Sequence, residues 1–199
     1  AVRLGVDVSE HQRGFDFSGF DFAIIRTTDG TYRDHAFTEH VSRAAGLELS
    51  AYHFLRAPSE GTTVEQQVDA AMEVLDGRRL PMWIDVESPA GLSLDDVRVA
   101  ASCFQQAGAE VAGVYTTAWY WRRHMELASP AQFGALWLAQ WGDNPVVELA
   151  ARSVPSPAAL DLPVAADWPQ PFGFPRSEVW QFTSRGRIGG HTVDLNVKF

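Results

Sequence analysis

One rhythm repeats through the first two thirds of the chain: a short apolar strand, a polar turn, an amphipathic helix, then glycine. The strands expected from it are Leu4–Val8, Phe22–Arg26, Leu49–Phe54, Met82–Val86 and Val111–Thr116. Short apolar runs bounded by turn residues suit strands covered on both faces. A helix is expected from about Asp34 to Ala45, with Gly46 just past its end. Another begins near Thr62 and Thr63, since Thr62-x-x-Glu65 and Thr63-x-x-Gln66 both fit a capping box, and stops near Gly77. Ser93 caps a third, with Asp95 and Asp96 at its positive N-terminal end, and that helix stops near Gly108. Strands alternating with helices imply a parallel sheet. Five such units in about 120 residues predict either a closed barrel or an open doubly wound sheet.

The rhythm then breaks. Seven of the eleven prolines fall between Pro145 and Pro175. Proline is excluded from helix interiors and central strands, so this stretch is expected to be mostly loop. Short β candidates flank it at Leu136–Gln140, Val179–Phe182 and Val193–Leu195. No linker, repeat or low-complexity tract divides the chain, so one domain is expected across residues 1–199. Hydrophobic residues make up 46% of the sequence, enough for a substantial core. No apolar run is long enough to span a bilayer, so no membrane insertion is expected. The chain opens Ala1-Val2-Arg3-Leu4, without an initiator methionine or a signal-peptide pattern, as a processed or trimmed chain would.

Several chemistries are poorly supported. The net charge of −9 argues against a nucleic-acid partner, which needs a basic footprint. Cys103 is the only cysteine and reads as a small buried hydrophobe on a helix. The six histidines are scattered, with no His-Glu-x-x-His motif and no Cys/His cluster, so no metal is expected. A nucleotide-binding α/β domain would need a Gly-rich phosphate loop, which is missing, and no cofactor is expected. Ser9 and Ser184 lack a nucleophile-elbow context. His11 reads as a solvated loop residue, and His53 as a hydrogen-bonded strand residue rather than a base.

Polar residues at strand ends are the more informative set, because functional groups of a parallel barrel gather there. Asp7, Arg26, Asp85, Glu87, Tyr115 and, on the last β segment, Asp194 occupy such positions. Acids are costly to desolvate, so four aimed at one mouth need a reason. In Asp85-Val86-Glu87 the two carboxylates point to the same side of a strand, with Cα atoms roughly 6.6 Å apart. Each disfavours ionisation of the other, so one can stay protonated and act as an acid. Glycosidic cleavage needs that arrangement. Two solvated acids at a loop would give the same local pattern. Tyr52, Trp83, Tyr115, Trp137, Trp141 and Trp180 lie in or beside strands; aromatic faces stack on pyranose rings, but they also fill cores.

The full set of segments resembles the family 25 glycoside hydrolases, the N-acetylmuramidase lysozymes. The match is carried by Gly5-Val6-Asp7-Val8-Ser9-Glu10-His11-Gln12, Phe22-Ala23-Ile24-Ile25-Arg26, Ala44-Ala45-Gly46-Leu47 and Ala51-Tyr52-His53-Phe54. It continues through Trp83-Ile84-Asp85-Val86-Glu87, Gly113-Val114-Tyr115-Thr116, Trp137-Leu138-Ala139-Gln140-Trp141, Trp180-Gln181-Phe182-Thr183-Ser184 and Val193-Asp194-Leu195-Asn196. The segments follow family order from end to end. The departures are His11, where many relatives carry Trp, and the loop Thr27-Thr28-Asp29-Gly30.

The resemblance implies an irregular TIM-like barrel, five β/α units followed by β segments with few helices. It implies cleavage of the β-1,4 bond between N-acetylmuramic acid and N-acetylglucosamine in bacterial cell-wall glycan strands. The acids map onto Asp7, Asp85, Glu87 and Asp194, with Glu87 in the proton-donor place. Arg26, Tyr52, Tyr115, Trp137, Gln140 and Gln181 are expected to bind substrate. A monomer is expected, secreted or delivered to the wall by a phage. At −9 it would be drawn only weakly to an anionic wall over distance. A sugar-binding barrel that no longer hydrolyses, or a chitinase-like glycosidase, are the alternatives.

Overall fold

The expected strands close on themselves. The computed structural model describes residues 2–150 and 153–199. In chain order the strands are β1 (Arg3–Val8), β2 (Phe22–Asp29), β3 (Tyr32–Arg33), β4 (Glu48–Phe54), β5 (Met82–Asp85), β6 (Val111–Thr116), β7 (Ala135–Ala139), β8 (Val147–Glu148), β9 (Val179–Ile188) and β10 (His191–Lys198). The helices are α1 (Phe37–Arg43), α2 (Val64–Leu75), α3 (Leu94–Gln106) and α4 (Ala118–His124). Strands β1, β2, β4, β5, β6, β7 and β9 pair in parallel in that order. β10 pairs antiparallel with both β9 and β1 and completes an eight-stranded barrel. Of the two architectures left open by the sequence, the closed barrel is found.

Alternation along each strand builds two apolar layers. Val6, Ile25, Ile84, Val114 and Leu138 face outward, into the layer shared with the helices. Phe22, Ile24, Trp83, Tyr115, Trp137 and Val179 face inward and fill the barrel. The caps set the helix positions. Of the two capping boxes near the start of α2, Thr63 and Gln66 form the real one, bonded reciprocally at 2.9 and 3.1 Å. Ser93 and Asp96 do the same for α3. Among the described residues no helix is long and apolar enough to cross a membrane.

Several local expectations are corrected. The first crossover carries only a 3-10 turn (Glu10–Gln12), because the segment before β2 buries Phe15, Phe17 and Phe20 as a ring cluster instead of forming a helix. Helix α1 starts later than Asp34. That carboxylate accepts from the backbone N–H groups of Glu10 and Ala36 and from Arg26, which holds it outside the helix. Thr27-Thr28-Asp29 extends β2 past an irregularity rather than forming a loop. The last two β segments are longer than expected and form a hairpin through Gly189-Gly190, whose φ values of 56° and 80° suit a two-residue turn. Cys103 is half-buried against the core, His11 is exposed, and His53 is buried between Thr28 and Gln67 at 2.5 and 3.0 Å. Burial lowers His53 to a pKa of about 4, so it is neutral and structural.

Gly113 is where the barrel is least tolerant. Its φ is 153°, and a Cβ there would lie 1.8 Å from the carbonyl oxygen of Ala135 on the paired strand. No rotamer change relieves a backbone overlap, so Gly113→Ala is expected to cost about 3–5 kcal/mol. Differential scanning calorimetry is expected to show a melting point lower by about 10 °C or more, or no soluble protein.

Candidate active site

All four acids reach one mouth of the barrel, where the parallel strands end. Asp7 comes from the end of β1 and Asp85 closes β5. Glu87 follows two residues later, outside the strand. Its neighbours are pinned: the Val86 N–H donates to Tyr115 O at 2.8 Å, the Thr116 hydroxyl donates to Val86 O at 2.9 Å, and the Tyr120 hydroxyl donates to Ser88 O at 2.7 Å. Asp194 arrives by a different route from the one expected. It lies in the first half of β10, not at a strand end, and it reaches the mouth because β10 runs against the others. The antiparallel register sets it directly opposite Asp7.

The acids form two bonded pairs. In the first, Asp194 and Asp7 share a hydrogen bond. Burial, the charge of Asp7 and that bond push Asp194 up to about 10, so it carries the proton. Burial also raises Asp7, but hydrogen bonds from Asp194, Asn196 and Gln181 oppose the rise. In the second, Asp85 and Glu87 are bonded to each other. Asp85 is buried, and burial followed by the charge of Glu87 lifts it well above the usual carboxylate range. Glu87 is half-buried and is raised to about 7, by burial first and by the charge of Asp7 second. The pair therefore holds a shared proton near neutral pH. Asp85 Oδ1 is buried and has no hydrogen-bond partner among the described residues.

Aromatic rings floor the site. Trp137 packs against Tyr115, Trp83 and Tyr52 at centroid distances of 4.4, 5.8 and 5.9 Å. It is 1% exposed and donates its indole N–H to Asn196 Oδ1 at 2.7 Å, which puts it beneath the cleft rather than in reach of a stacked sugar. Gln181, also expected to touch substrate, is 1% exposed and donates to Asp7 instead. Gln140 has an exposed side chain just past β7, while its backbone bonds to Gln181 and Trp180. Tyr52 is half-buried at the mouth and Tyr115 is buried, with its hydroxyl on Gln181 Oε1 at 2.7 Å. Arg26 also lies there, bonded to Asp34 at 2.8 Å and Glu10 at 3.3 Å.

Sequence reasoning missed Asn196, Asp34 and Glu10 as parts of this site. Asn196 had a signal: it stands two residues from Asp194, the spacing that shares a strand face. Asp34 had none, because it sits in a turn after β3. From sequence, Trp141 is an aromatic beside a strand and the last residue of the Trp137–Trp141 segment, without a binding role of its own. It is 39% exposed, and its indole N–H donates to Gln181 at 2.9 Å. Asn144 holds that loop to β9 through Ser184 and Thr183. Among the described residues no group of three His, Cys, Asp or Glu has a metal-holding arrangement.

The model of glycosyl hydrolases family 25 matches residues 6–191. This chain belongs to glycosyl hydrolase family 25. It is similar to Lysozyme M1 of Streptomyces globisporus, 30% identical over 220 residues, covering 96% of this chain and 65% of that protein. It is also similar to the autolytic lysozyme of Clostridium acetobutylicum, 30% identical over 152 residues, covering 69% of this chain and 45% of that protein. The chain thus spans less than two thirds of the length of either relative. Among solved structures, the bacterial lysozyme from Streptomyces coelicolor superposes with a TM-score of 0.69 at 28% identity, covering 98% of this chain and 90% of that one. The closed barrel agrees with this fold similarity.

Proposed function

We propose that this family 25 member hydrolyses peptidoglycan, cleaving the β-1,4 bond between N-acetylmuramic acid and N-acetylglucosamine with Glu87 as general acid. The observation that carries the reading is the Asp85–Glu87 pair: a half-buried carboxyl held near pH 7, bonded to a fully buried one, in an acid-lined mouth. The names of Lysozyme M1 and the autolytic lysozyme support the wall glycan as substrate. The enzyme would act as a monomer at the bacterial wall, secreted or released by a phage.

The residues suggest a division of labour. Glu87 opens on the cleft and delivers a proton to the leaving oxygen. Asp85, which closes β5, and Glu87, two residues beyond it, are close partners and so poorly placed to act from opposite ring faces. The 2-acetamido carbonyl of the substrate can attack the anomeric carbon instead, a known exception to the two-carboxylate scheme. Asp85 Oδ1, lacking a protein partner, can accept the acetamido N–H and orient that group. Water then opens the cyclic intermediate while the Glu87 carboxylate takes its proton. Half-exposed Trp141 and Tyr52 offer aromatic surface for the sugars.

Mass spectrometry of digested walls is expected to find new reducing ends on muramic acid. Reducing ends on glucosamine would make the enzyme a glucosaminidase, and cleavage of chitooligosaccharides alone a chitinase. A folded protein that clears no wall suspension would be a sugar-binding barrel. Proton NMR of the first product, taken before mutarotation, is expected to show the β-anomer. An initial α-anomer excludes acetamido participation and moves a base role to Asp7 or Asp194.

A further inference from the structure

We propose that Gln181 is a positioning residue that holds Asp7 as the proton acceptor of the Asp7–Asp194 pair, with Trp141 and Tyr115 fixing which way its amide faces. The inference rests on the reading above that these acids act on a glycan.

A carboxamide has two nearly isosteric ends, and only one suits a carboxylate. Flipped, Gln181 would set its oxygen against Asp7. Two donors converge on Oε1 and prevent this: the Tyr115 hydroxyl at 2.7 Å and the Trp141 indole N–H at 2.9 Å. A hydroxyl can reverse its role, but an indole N–H only donates, so Trp141 decides the orientation. Nε2 is then left to donate to Asp7 Oδ2, at 2.8 Å. Asn196 repeats the device from β10. The Trp137 indole occupies its Oδ1 at 2.7 Å, and its Nδ2 donates to the same Asp7 oxygen at 2.9 Å. Two donor-only indoles thus orient two amides onto one carboxylate oxygen. An oxygen that receives two N–H groups accepts, so Asp7 Oδ2 bears no proton, and two donors on Asp7 favour its ionised form over that of Asp194.

The surroundings make these amides decisive. Asp7 is faced by Asp194 from β10, by Asp85 and Glu87 from β5 and its outgoing loop, by Tyr52 from β4 and by Tyr115 from β6. The nearby cations among the described residues, Arg26 on β2 and Arg56 just after β4, are already paired, Arg26 with Asp34 and Glu10 and Arg56 with Asp29 and Glu60. Neutral donors therefore keep the negative charge on Asp7. That fixed charge favours the protonated form of Glu87 and so keeps the donor loaded.

The test follows the Asp7 carboxyl itself by carbon-13 NMR of aspartate-labelled protein, beside the pH profile of wall lysis. In the wild type, Asp194 is expected to stay protonated beyond pH 7 while Asp7 is ionised. Gln181→Met keeps the length and removes the donor. It is expected to move the Asp7 titration and the acid limb of kcat to higher pH by roughly one unit, with KM little changed. Trp141→Phe keeps a ring but drops the indole donor, so a smaller shift in the same direction is expected. It carries the test if Gln181→Met does not fold. A folded Gln181→Met with an unmoved Asp7 titration overturns the proposal, as does a wild type in which Asp7 and Asp194 both ionise below about pH 5. A protein without lytic activity would defeat the functional reading yet leave these titrations readable.

Discussion

Glu87→Gln is expected to lower wall lysis by about 10²–10⁴-fold while the barrel stays folded. Glutamine matches glutamate in shape but has no proton to give, so what is lost is protonation of the leaving oxygen. The loss is expected in kcat with little change in KM, since the exposed walls of the cleft are untouched. The geometry around the residue supports an intact fold. Val86 and Ser88 are held by Tyr115, Thr116 and Tyr120, and none of those bonds involves the Glu87 side chain. Replacing a half-buried ionisable group with a neutral one also removes a desolvation cost, so the variant is expected to melt higher than the wild type above pH 7. Turbidity clearance across a pH series, paired with thermal melts, reads both effects. A variant keeping more than a few per cent of wild-type lysis would assign the acid role elsewhere; a variant that loses lysis because it melts early would leave Glu87 without a chemical role. Asp85→Asn is expected to impair lysis severely as well, since it changes the partner with which Glu87 shares its proton.

The first five strands of the barrel proper were legible because each is a short apolar run closed by a turn signal, the pattern of strands covered on both faces. Asp7 and Asp85 were legible for the same reason, since they interrupt apolar runs at strand ends, and Glu87 stands two residues past Asp85. The position of Asp194 was right and the reason wrong, because strand direction is not written in Val193-Asp194-Leu195. Only the hairpin turn at Gly189-Gly190 reveals that β10 runs backwards. The depth of a side chain was the least legible property. Trp137 and Gln181 lie on the inward face, as binding residues would, yet each is 1% exposed and spends its N–H on Asn196 or Asp7. Alternation gives the face; only the tilt and closure of the barrel give the height.

The buried acids also set how stability depends on pH. Glu87 is raised from 4.5 to about 7, Asp194 from 3.8 to about 10, and Asp7 and Asp85 are raised with them. A group with a raised folded pKa stabilises fully below its unfolded value, and that contribution is lost as pH rises through its folded value. The window opens near 4 and reaches about 7 for Glu87 and about 10 for Asp194. Glu10 and Glu60 act oppositely. Hydrogen bonds from Tyr32 to Glu10 and from Ser88 to Glu60 favour their charged forms, and their stabilisation is lost as pH falls below the usual carboxylate range. Stability is therefore expected to peak near pH 5 and to decline toward alkaline pH. Each proton retained by the fold contributes up to about 1.4 kcal/mol per pH unit, less for a partly exposed group. For Asp194 alone that amounts to a melting point lower by about 5–10 °C at pH 7 than at pH 5. Asp194→Asn isolates this contribution. The amide can still donate to Asp7, so the contact survives while the titration disappears, and the variant is expected to show a shallower decline. Thermal melts of both proteins from pH 4 to pH 9 are the measurement. A wild type that grows more stable from pH 5 to pH 8, or an Asp194→Asn variant with an unchanged slope, would show that the proton of the Asp7–Asp194 pair is not held by the folded state.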